Sequence, residues 1–328
     1  MIASVAFRNF KALRETSLAL APFNLVIGPN GSGKTSLIDA LLRLRALAKL
    51  PLAAEAAVPR GDGPEIAFRF APPHDAIEAR LGCVSEFVCD LLRVAPAAAP
   101  GWPALRAEIA GIRSYLLDHY AMAEPAAPGA DGELAGNGAN LAAVVGGWRE
   151  RAPAAFAGFA AEALRLLPEF AAFGVVTLPD ARRELAMRLH DGGTVTADNL
   201  SQGTLYTLAV LALAFEPAPP SVVCIEEIDR GIHPRMLREI RDALYRLSHP
   251  AAFGSTRRPV QVVATTHSPY LLDLFREHPE EVVLAHKHAG AARFERLGDR
   301  ADIAALLREG SLGDLWFSGV LGGVPEEP

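Results

Sequence analysis

One stretch of the chain decides its fold: Gly28-Pro29-Asn30-Gly31-Ser32-Gly33-Lys34-Thr35. It matches the pattern G-x-x-x-x-G-K-[ST], in which a glycine-rich loop precedes a lysine and a hydroxyl residue. The segment Phe23–Ile27 before it, apolar except for Asn24, is predicted to be a strand. From Lys34 to Ala48, apolar residues recur at the spacing of an amphipathic helix. A strand, this loop and a helix in that order predict a phosphate-binding loop rather than an ordinary tight turn.

The residue types in this loop explain what it would bind. Glycines allow successive backbone N–H groups to turn inward around an anion, and the positive end of the following helix points to the same place. In this pattern Lys34 reaches the β- and γ-phosphates of a nucleotide, and the Thr35 hydroxyl ligates Mg²⁺. The loop therefore predicts a nucleoside triphosphate site, with ATP and Mg²⁺ as the expected ligands. The residues expected to bind the nucleotide are Gly28, Pro29, Asn30, Gly31, Ser32, Gly33, Lys34, Thr35 and Ser36.

Two adjacent carboxylates follow a second strand-like run. Residues 221–225 are a short apolar run of the kind that is covered on both faces of a parallel sheet, and Glu226 and Glu227 come directly after it. Ligands of such sheets bind at the carboxyl ends of the strands. Successive strand residues point to opposite faces, so the two acids can take different roles. We expect Glu226 to hold Mg²⁺, directly or through water, and Glu227 to orient and polarise the attacking water. A solvated strand end is the alternative.

A serine and a glycine stand at the start of a predicted helix. Leu200-Ser201-Gln202-Gly203-Thr204 precedes the apolar run 205–215, which makes Ser201 the expected N-cap. The Gly203 N–H and the positive end of the helix would suit a γ-phosphate. An ordinary helix cap explains the same residues, and only their place shortly before the acidic pair points to a nucleotide.

A histidine follows the last apolar run of the predicted core. Residues 260–264 form that run, and Thr265-Thr266-His267-Ser268-Pro269 comes directly after it. We therefore expect His267 at the same edge of the sheet as Lys34 and Glu227, where it can hydrogen-bond the γ-phosphate and report its loss. The last two residues of the quoted run also begin a predicted helix at that edge. A capping or core histidine is the alternative.

The bulk composition bounds the class of protein. Half of the 328 residues are apolar, enough for a large core without disulfides, and the net charge of −6 argues against a surface devoted to nucleic acid. Cys83, Cys89 and Cys224 lie at no metal-ligand spacing, so we expect all three to be reduced in a reducing compartment. The N-terminus shows no basic-then-apolar leader, and no run of about 20 apolar residues exists. We expect a cytoplasmic protein that does not bind a membrane.

The order of strand-like and helix-like segments predicts an α/β fold. Strand patterns at both ends of the chain indicate an ATPase core with a mixed, largely parallel sheet, formed by 1–71 and 174–328. From 72 to 173 the pattern turns helical, with Pro-, Ala- and Gly-rich interruptions. This middle segment is therefore predicted to be a helical insertion or lid.

In their order along the chain, these motifs resemble the nucleotide-binding domain of the ABC ATPase superfamily. The chain looks like the soluble branch that includes RecF, Rad50, the SMC proteins and the ATPase half of the OLD-family nucleases. Residues 5–11 resemble the opening strand of that branch, and residues 226–234 resemble its acidic motif and D-loop. Residues 134–145 look like a segment of small bacterial predicted ATPases of the AAA_21 and AAA_15 kind.

The resemblance implies a mechanism that needs two subunits. Two ATPase domains would meet head to tail as a homodimer, with each ATP clamped between Lys34 of one subunit and Ser201 and Gly203 of the other. Glu227 would position the attacking water and His267 would sense the γ-phosphate. An isolated subunit would therefore hydrolyse ATP slowly.

The sequence departs from the family at several points. The glutamine that contacts Mg²⁺ and water between the loop and the signature is missing, because the chain has only Gln202 and Gln261. The segment after His267 is too short for the nuclease domain of OLD proteins. The middle segment lacks long heptads, so we do not expect a Rad50-like coiled coil.

One hypothesis of function and two alternatives remain. We expect an ATP-binding and ATP-hydrolysing dimeric switch whose output goes to DNA or to a protein effector, in phage defence or DNA repair. A non-hydrolysing nucleotide sensor or scaffold is the first alternative. The ATPase subunit of a membrane transporter is the second, although transporters couple through the loop whose glutamine is missing. A nuclease in its own right is not expected, since no carboxylate cluster exists apart from the ATP site.

Overall fold

The computed structural model describes residues 1–50, 52, 63–288 and 290–322. The strands are β1 (Ile2–Phe10), β2 (Leu13–Ala19), β3 (Phe23–Ile27), β4 (Glu65–Phe70), β5 (Glu78–Ser85), β6 (Val88–Ala95), β7 (Ile112–Tyr115), β8 (Phe170–Thr177), β9 (Arg183–Leu189), β10 (Thr194–Thr196), β11 (Val222–Ile225), β12 (Gln261–Thr266), β13 (Val282–His288) and β14 (Ala291–Arg296). The α-helices are α1 (Lys34–Ala48), α2 (Trp102–Ala110), α3 (His119–Ala123), α4 (Leu141–Arg151), α5 (Pro153–Leu166), α6 (Gln202–Phe215), α7 (Leu237–Ser248), α8 (Pro269–Asp273), α9 (Ile303–Glu309) and α10 (Leu312–Phe317).

The chain divides into two units, each formed by separate segments. The first unit comprises Met1–Ser114, Pro220–Ile228 and Arg258–Pro328. The second comprises Tyr115–Pro219 and Asp229–Arg257.

The large sheet has the strand order β6-β5-β4-β1-β2-β14-β13-β3-β12-β11-β7. The strands β13, β3, β12 and β11 run parallel to one another, whereas β1, β2, β4, β5 and β6 form antiparallel pairs. The four residues of β11 and all five of β3 are buried, as in strands that a parallel sheet covers on both faces, and Asn24 is the one polar residue of β3. The predicted mixed α/β fold is confirmed.

Helix α1 has the bounds that its apolar spacing predicts. Leu37, Ile38, Leu41 and Leu44 are buried along one side and belong to the core that contains the strands of the first unit. Truncating any one of these side chains to alanine would cost about 2–5 kcal/mol of unfolding free energy. This packing holds the N-terminus of α1, and with it the loop before it, in a defined place.

The second unit is built around α6, whose residues from Thr204 to Ala214 are all buried. Helices α5 and α7 pack against it, and the strands β10, β9 and β8 form a three-stranded sheet in the same unit. Phe159 makes edge-to-face contacts with the rings of Trp148, Phe173 and Phe215, which joins α4, α5, β8 and α6. The predicted helix after Ser201 is thus the central helix of this unit.

The expectation of a helical pattern from 72 to 173 is wrong in part. Helices α2, α3, α4 and α5 lie there, but so do the strands β5, β6 and β7 and the start of β8. In β5 the buried residues Ala79, Leu81 and Cys83 alternate with more exposed ones, which is the period of a strand. Alanine, leucine, arginine and glutamate favour helices locally, and pairing with β4 and β6 overrides that preference. That 72–173 acts as one insertion stays a prediction.

The expectation of three reduced cysteines is wrong for two of them. Cys83 and Cys89 form a disulfide, because the register of the β5–β6 hairpin places them opposite each other. Cys224 is free and fully buried, and burial raises the pKa of its thiol. The cysteines therefore no longer favour a reducing compartment, and the cytoplasmic location stays a prediction. In the part of the chain described, no helix is both long and apolar enough to cross a membrane.

Candidate functional site

The carboxyl ends of three parallel strands bring most of the predicted site residues to one edge of the first unit. In the sheet register Thr266 at the end of β12 pairs with Ile27 at the end of β3, and Ile225 at the end of β11 pairs with Ala264. The phosphate loop, the acidic pair and His267 follow these three strand ends. The chain order of the motifs is therefore enough to predict this convergence.

The backbone of the loop needs its glycines. Gly31 and Gly33 have φ angles of 74° and 95°, which residues with a Cβ rarely adopt. A Cβ on Gly28 would collide with the carbonyl oxygen of Ala285 on the neighbouring strand β13. Gly33 also precedes the first residue of α1, and no described side chain caps that helix start. The first-turn N–H groups are thus left for another acceptor.

Lys34 is buried inside the loop that precedes it. Its Nζ donates hydrogen bonds to the carbonyl oxygens of Gly28 at 2.7 Å and Pro29 at 2.9 Å. Burial lowers the pKa of Lys34 from 10.5 to about 8, and the negative charge of Glu227 raises it in part. Among the residues described, this buried ammonium is hydrogen-bonded only to neutral carbonyls of its own loop, so it would gain from an anionic partner.

Ser32 supplies an independent sign that the loop fits a ligand. Its Oγ is buried and has no hydrogen-bond partner among the residues described. A buried hydroxyl without a partner costs about 1–3 kcal/mol, and a phosphate oxygen would satisfy it. Together with the glycine backbone and Lys34, this orphaned hydroxyl makes the loop a fitting cradle for a polyphosphate.

The two residues predicted to hold Mg²⁺ lie against each other. The Oγ1 of Thr35 donates a hydrogen bond of 2.9 Å to Oε2 of Glu226, although they are 191 positions apart. Two neighbouring ligands in an octahedral Mg²⁺ shell, each about 2.0–2.1 Å from the ion, would be about 2.9 Å apart. Hydroxyl and carboxylate oxygens are the hard ligands that Mg²⁺ prefers, so the donor set fits this ion.

The second acid, Glu227, stands in an unusual backbone conformation. Its φ angle is 50°, and the residue is exposed at the edge of the sheet. Its backbone N–H donates to Oγ1 of Thr265, at 3.0 Å. The sequence pattern predicts no role for Thr265, although this residue begins the quoted run that contains His267.

His267 is exposed at the end of β12, as expected for a residue that meets a ligand at this edge. The next residue, Ser268, caps α8 by accepting the Leu271 N–H at 3.2 Å, and its own N–H donates to Oγ1 of Thr266. The predicted helix start is thus present, but α8 has only five residues. Such a short helix offers no anion site of its own, and the anion-sensing role of the His267 side chain stays a prediction.

A second lysine lies near the loop, and the sequence pattern does not predict it. Lys287 lies near the end of β13, and its Nζ would be 3.6 Å from a Cβ built on Gly31. β13 runs parallel to β3 and continues past the level of Ile27, which carries Lys287 to the tip of the loop. The register between distant strands determines this neighbour, and no local motif marks it.

The predicted signature residues lie in the second unit. Ser201 is the N-cap of α6, since its Oγ accepts the Thr204 N–H at 3.1 Å. A Cβ on Gly203 would lie 2.8 Å from the carbonyl oxygen of Gly231, so only glycine permits this close approach. Ser201 and Gly203 line a cleft of about 330 Å³ whose other walls include His233.

Both glutamines of the chain contact other parts of the fold. Gln261 accepts the Ile2 N–H at 3.0 Å and donates to the carbonyl oxygens of Ile2 and Ala21, at 2.9 and 3.1 Å. The side chain of Gln202 lies over the backbone of Gly231. Both glutamines therefore have structural contacts of their own.

Two family models match the sequence. One, described as "AAA domain, putative AbiEii toxin, Type IV TA system", matches residues 139–273. The other, described as "AAA ATPase domain", matches residues 1–63 and includes the phosphate loop. No curated protein matches the chain.

The fold is similar to solved SMC head domains. The SMC head bound to the C-winged helix domain of ScpA has a TM-score of 0.61 at 14% identity, with 90% of this chain and 97% of that chain covered. The SMC head domain from Thermotoga maritima has a TM-score of 0.55 at 14% identity, with 90% and 98% covered. The SMC head from Pyrococcus furiosus, bound to the C-terminal domain of ScpA, has a TM-score of 0.57 at 15% identity, with 94% and 99% covered. At these identities the likeness establishes the fold alone.

The two family models both describe an AAA-type ATPase domain, and the fold is the one that solved SMC heads share. The resemblance predicted from the motifs is thus confirmed. AAA ATPase models imply nucleotide binding and suggest ATP-dependent activity.

Proposed function

We propose that the chain binds ATP with Mg²⁺, hydrolyses it, and acts as an ATP-dependent dimeric switch on DNA or a protein effector. The observation that carries the proposal is the phosphate loop of the first unit. Buried Lys34 is bonded only to carbonyl oxygens of its own loop, and the buried Ser32 hydroxyl has no partner among the residues described. Both groups would be satisfied by a polyphosphate.

The residues of this edge divide the chemistry among themselves. Lys34 would exchange the Gly28 and Pro29 carbonyls for phosphate oxygens, which stabilises charge that develops on transfer of the γ-phosphoryl group. Thr35 and Glu226 would hold Mg²⁺, which neutralises the charge of the β- and γ-phosphates. Glu227 would orient the attacking water.

His267 would complete the edge as the group that reports whether the γ-phosphate is present. It is exposed at the end of β12, beside strand ends that carry the loop and the acids. A neutral imidazole can donate one hydrogen bond to a phosphate oxygen and lose it on hydrolysis. This role stays a prediction.

The second unit would act on the nucleotide of a partner subunit. Ser201 is exposed at the start of the 14-residue helix α6, and Gly203 in its first turn carries no side chain that would block an approaching phosphate. Helix starts of this kind favour negative charge. We therefore propose a head-to-tail homodimer in which this helix start closes over ATP held by the other subunit.

The mass of the Glu227→Gln variant in solution tests the switch. This variant keeps the loop but lacks the carboxylate that would activate water, so ATP should accumulate in the site. We expect a monomer without nucleotide and a dimer with Mg²⁺ and ATP, with Lys34→Met in the same background as the control that stays monomeric. A monomer under both conditions would refute the dimeric switch.

The output of the switch is the least constrained part of the proposal. The family description that matches residues 139–273 refers to a toxin–antitoxin system, and two of the similar SMC heads are bound to ScpA domains. These descriptions support a partner protein. A role in phage defence or DNA repair is part of the proposal and has no support in them. Identifying what co-purifies with Glu227→Gln held in ATP, with and without nuclease treatment, separates a protein effector from DNA.

A second candidate function is a nucleotide sensor that does not hydrolyse ATP. The family glutamine that contacts Mg²⁺ and water is missing from the sequence, and this favours a sensor. The two glutamines present, Gln261 and Gln202, contact other parts of the fold. Phosphate release that stays at the level of Glu227→Gln, with DNA and the co-purified partner present, would establish this reading.

A further inference from the structure

Glu227 has a backbone conformation that needs an external support. Its φ of 50° lies in the left-handed region, where the Cβ of an L-residue crowds its own backbone. Such a conformation persists only where the surrounding structure holds it, and it is found preferentially at functional sites. The support must come from outside β11, because that strand ends at Ile225.

One residue of the neighbouring strand provides two hydrogen bonds at this point. Oγ1 of Thr265 accepts the Glu227 N–H at 3.0 Å, and the carbonyl oxygen of Thr265 accepts the Ile228 N–H at 3.0 Å. The last paired residues of the two strands are Ile225 and Ala264, so Thr265 stands one step beyond the ladder. The hydroxyl thus replaces a backbone acceptor where the chain leaves the sheet.

The side chain of Thr265 is well placed to hold a fixed geometry. It is 4% exposed within β12, and that strand is paired on both sides, with β11 and β3. A β-branched residue has few rotamers, so the direction of the hydroxyl is restricted. The two hydrogen bonds to Thr265 therefore fix the backbone of Glu227 directly after Glu226, whose carboxylate accepts the Thr35 hydroxyl.

We propose that Thr265 is a positioning residue for Glu227. Its hydroxyl holds the Glu227 backbone in the left-handed conformation and so aims the carboxylate at the water beside the γ-phosphate. The proposal rests on the proposed function, because Glu227 is assigned there as the group that orients water. Thr265 itself touches neither nucleotide nor metal.

Thr265→Val and Thr265→Ser test the hydroxyl separately from the volume. Valine keeps the shape of threonine and removes the acceptor, whereas serine keeps the acceptor. We expect the valine variant to lose at least about tenfold in kcat while the Kd for ATP changes less than about twofold. The serine variant should recover to within about threefold of the native kcat. Thr16→Val is the matched control, since it also removes a backbone N–H to Thr Oγ1 bond, from Phe294 at 3.3 Å.

Two kinetic results would overturn the proposal. One is a valine variant with native kcat, and the other is a valine variant that loses ATP affinity as much as kcat, because that pattern indicates a general loss of structure. If the native protein binds ATP but releases no phosphate, the proposed hydrolysis fails and a crystal structure of Thr265→Val decides this inference. A negative φ at Glu227 in that structure supports the positioning role, and an unchanged positive φ refutes it.

Discussion

Two helix starts in this chain look alike in sequence and differ in what they offer a ligand. The start of α1 follows Gly33 and has no side-chain cap among the residues described, and buried Lys34 and Ser32 lie beside it. The start of α6 is capped by its own Ser201, which is exposed. The first start has unsatisfied donors enclosed by protein, while the second has already satisfied one of its N–H groups.

A glycine near the start of a helix therefore does not by itself decide how many donors remain for an anion. The α1 start is preorganised by burial, by the ammonium of Lys34 and by Gly31 and Gly33, whose φ angles are positive. The α6 start presents an open dipole that would matter only when an anion is brought to it. We therefore expect the phosphate loop to determine nucleotide affinity and the Ser201 region to determine what the bound nucleotide does.

The largest expected effect is on the α1 side. Lys34→Met keeps the aliphatic stem and removes the ammonium, so ATP affinity should fall roughly a hundredfold, as for loss of charge-assisted hydrogen bonds. The melting temperature should not fall by much, because the buried ammonium itself pays a desolvation cost. Isothermal titration calorimetry measures the affinity. A Kd within threefold of the native value would remove the basis for the comparison.

The second largest effect is expected for a substitution at the start of α6, and it should lower the rate of ATP hydrolysis without changing the affinity for ATP. Ser201→Asp keeps an N-cap but places a negative charge where the γ-phosphate of a partner would approach. We expect about a thirtyfold lower rate of phosphate release, with ATP affinity of the single subunit within about twofold of native.

Ser201→Asn is the matched control, because asparagine caps helices as well as aspartate does and carries no charge. It should retain the melting temperature and most of the activity. If the aspartate variant hydrolyses ATP at the native rate, the second helix start has no part in the reaction.

The affinity for ATP should depend on pH through the α1 side alone. Because the pKa of Lys34 is about 8 in the empty site, its charged fraction falls as pH rises from 7 to 9. If the charged form binds the phosphates, affinity should drop about tenfold over this range. The ATP affinity of Lys34→Met should not change with pH over this range, whereas that of Ser201→Asn should fall as in the native protein.

The contribution of Lys34 to the free energy of unfolding should become more favourable as pH rises, whereas the affinity for ATP falls. The folded pKa lies below the unfolded value of 10.5, so the unfolded chain binds the proton more tightly. The penalty for burying the charged Lys34 is therefore present below pH 8 and is relieved as pH rises through 8 towards 10.5. Chemical unfolding of native protein and Lys34→Met across this window isolates the contribution.

The smallest expected effect concerns the lysine at the tip of the loop. Lys287→Ala should weaken ATP binding about threefold at low salt, because an exposed charge near a phosphate contributes modestly and is screened. Lys49, exposed just after α1, is the control position for the loss of one positive charge. Equal effects of the two alanine variants would mean that Lys287 acts only through net charge.

Local patterns were sufficient wherever structure and chemistry are encoded within a few residues. The bounds of β3 and α1 agree with the predictions, because burial periodicity and glycine spacing are read directly from neighbouring positions. The Ser201 cap was also predictable, since capping involves only the next three residues. The meeting of Thr35 with Glu226 followed from one rule, that carboxyl ends of parallel strands share an edge.

Pairing between distant segments was beyond such patterns. The strands β5 and β6 have residues that favour helices, and only their pairing in the sheet reveals them. The Cys83–Cys89 disulfide depends on the same hairpin register. Where the composition of a segment allows either a helix or a strand, the distant segment with which it pairs determines which of the two forms.

The phosphate loop, the acidic pair and the histidine could be predicted from the amino-acid sequence, because each is a local motif after a buried strand. The tertiary structure alone decided that Thr265 holds Glu227 and that Lys287 reaches the tip of the loop. Both depend on the register of strands that are far apart in the chain. Register is set by the packing of the whole sheet, and no short run of residues carries it.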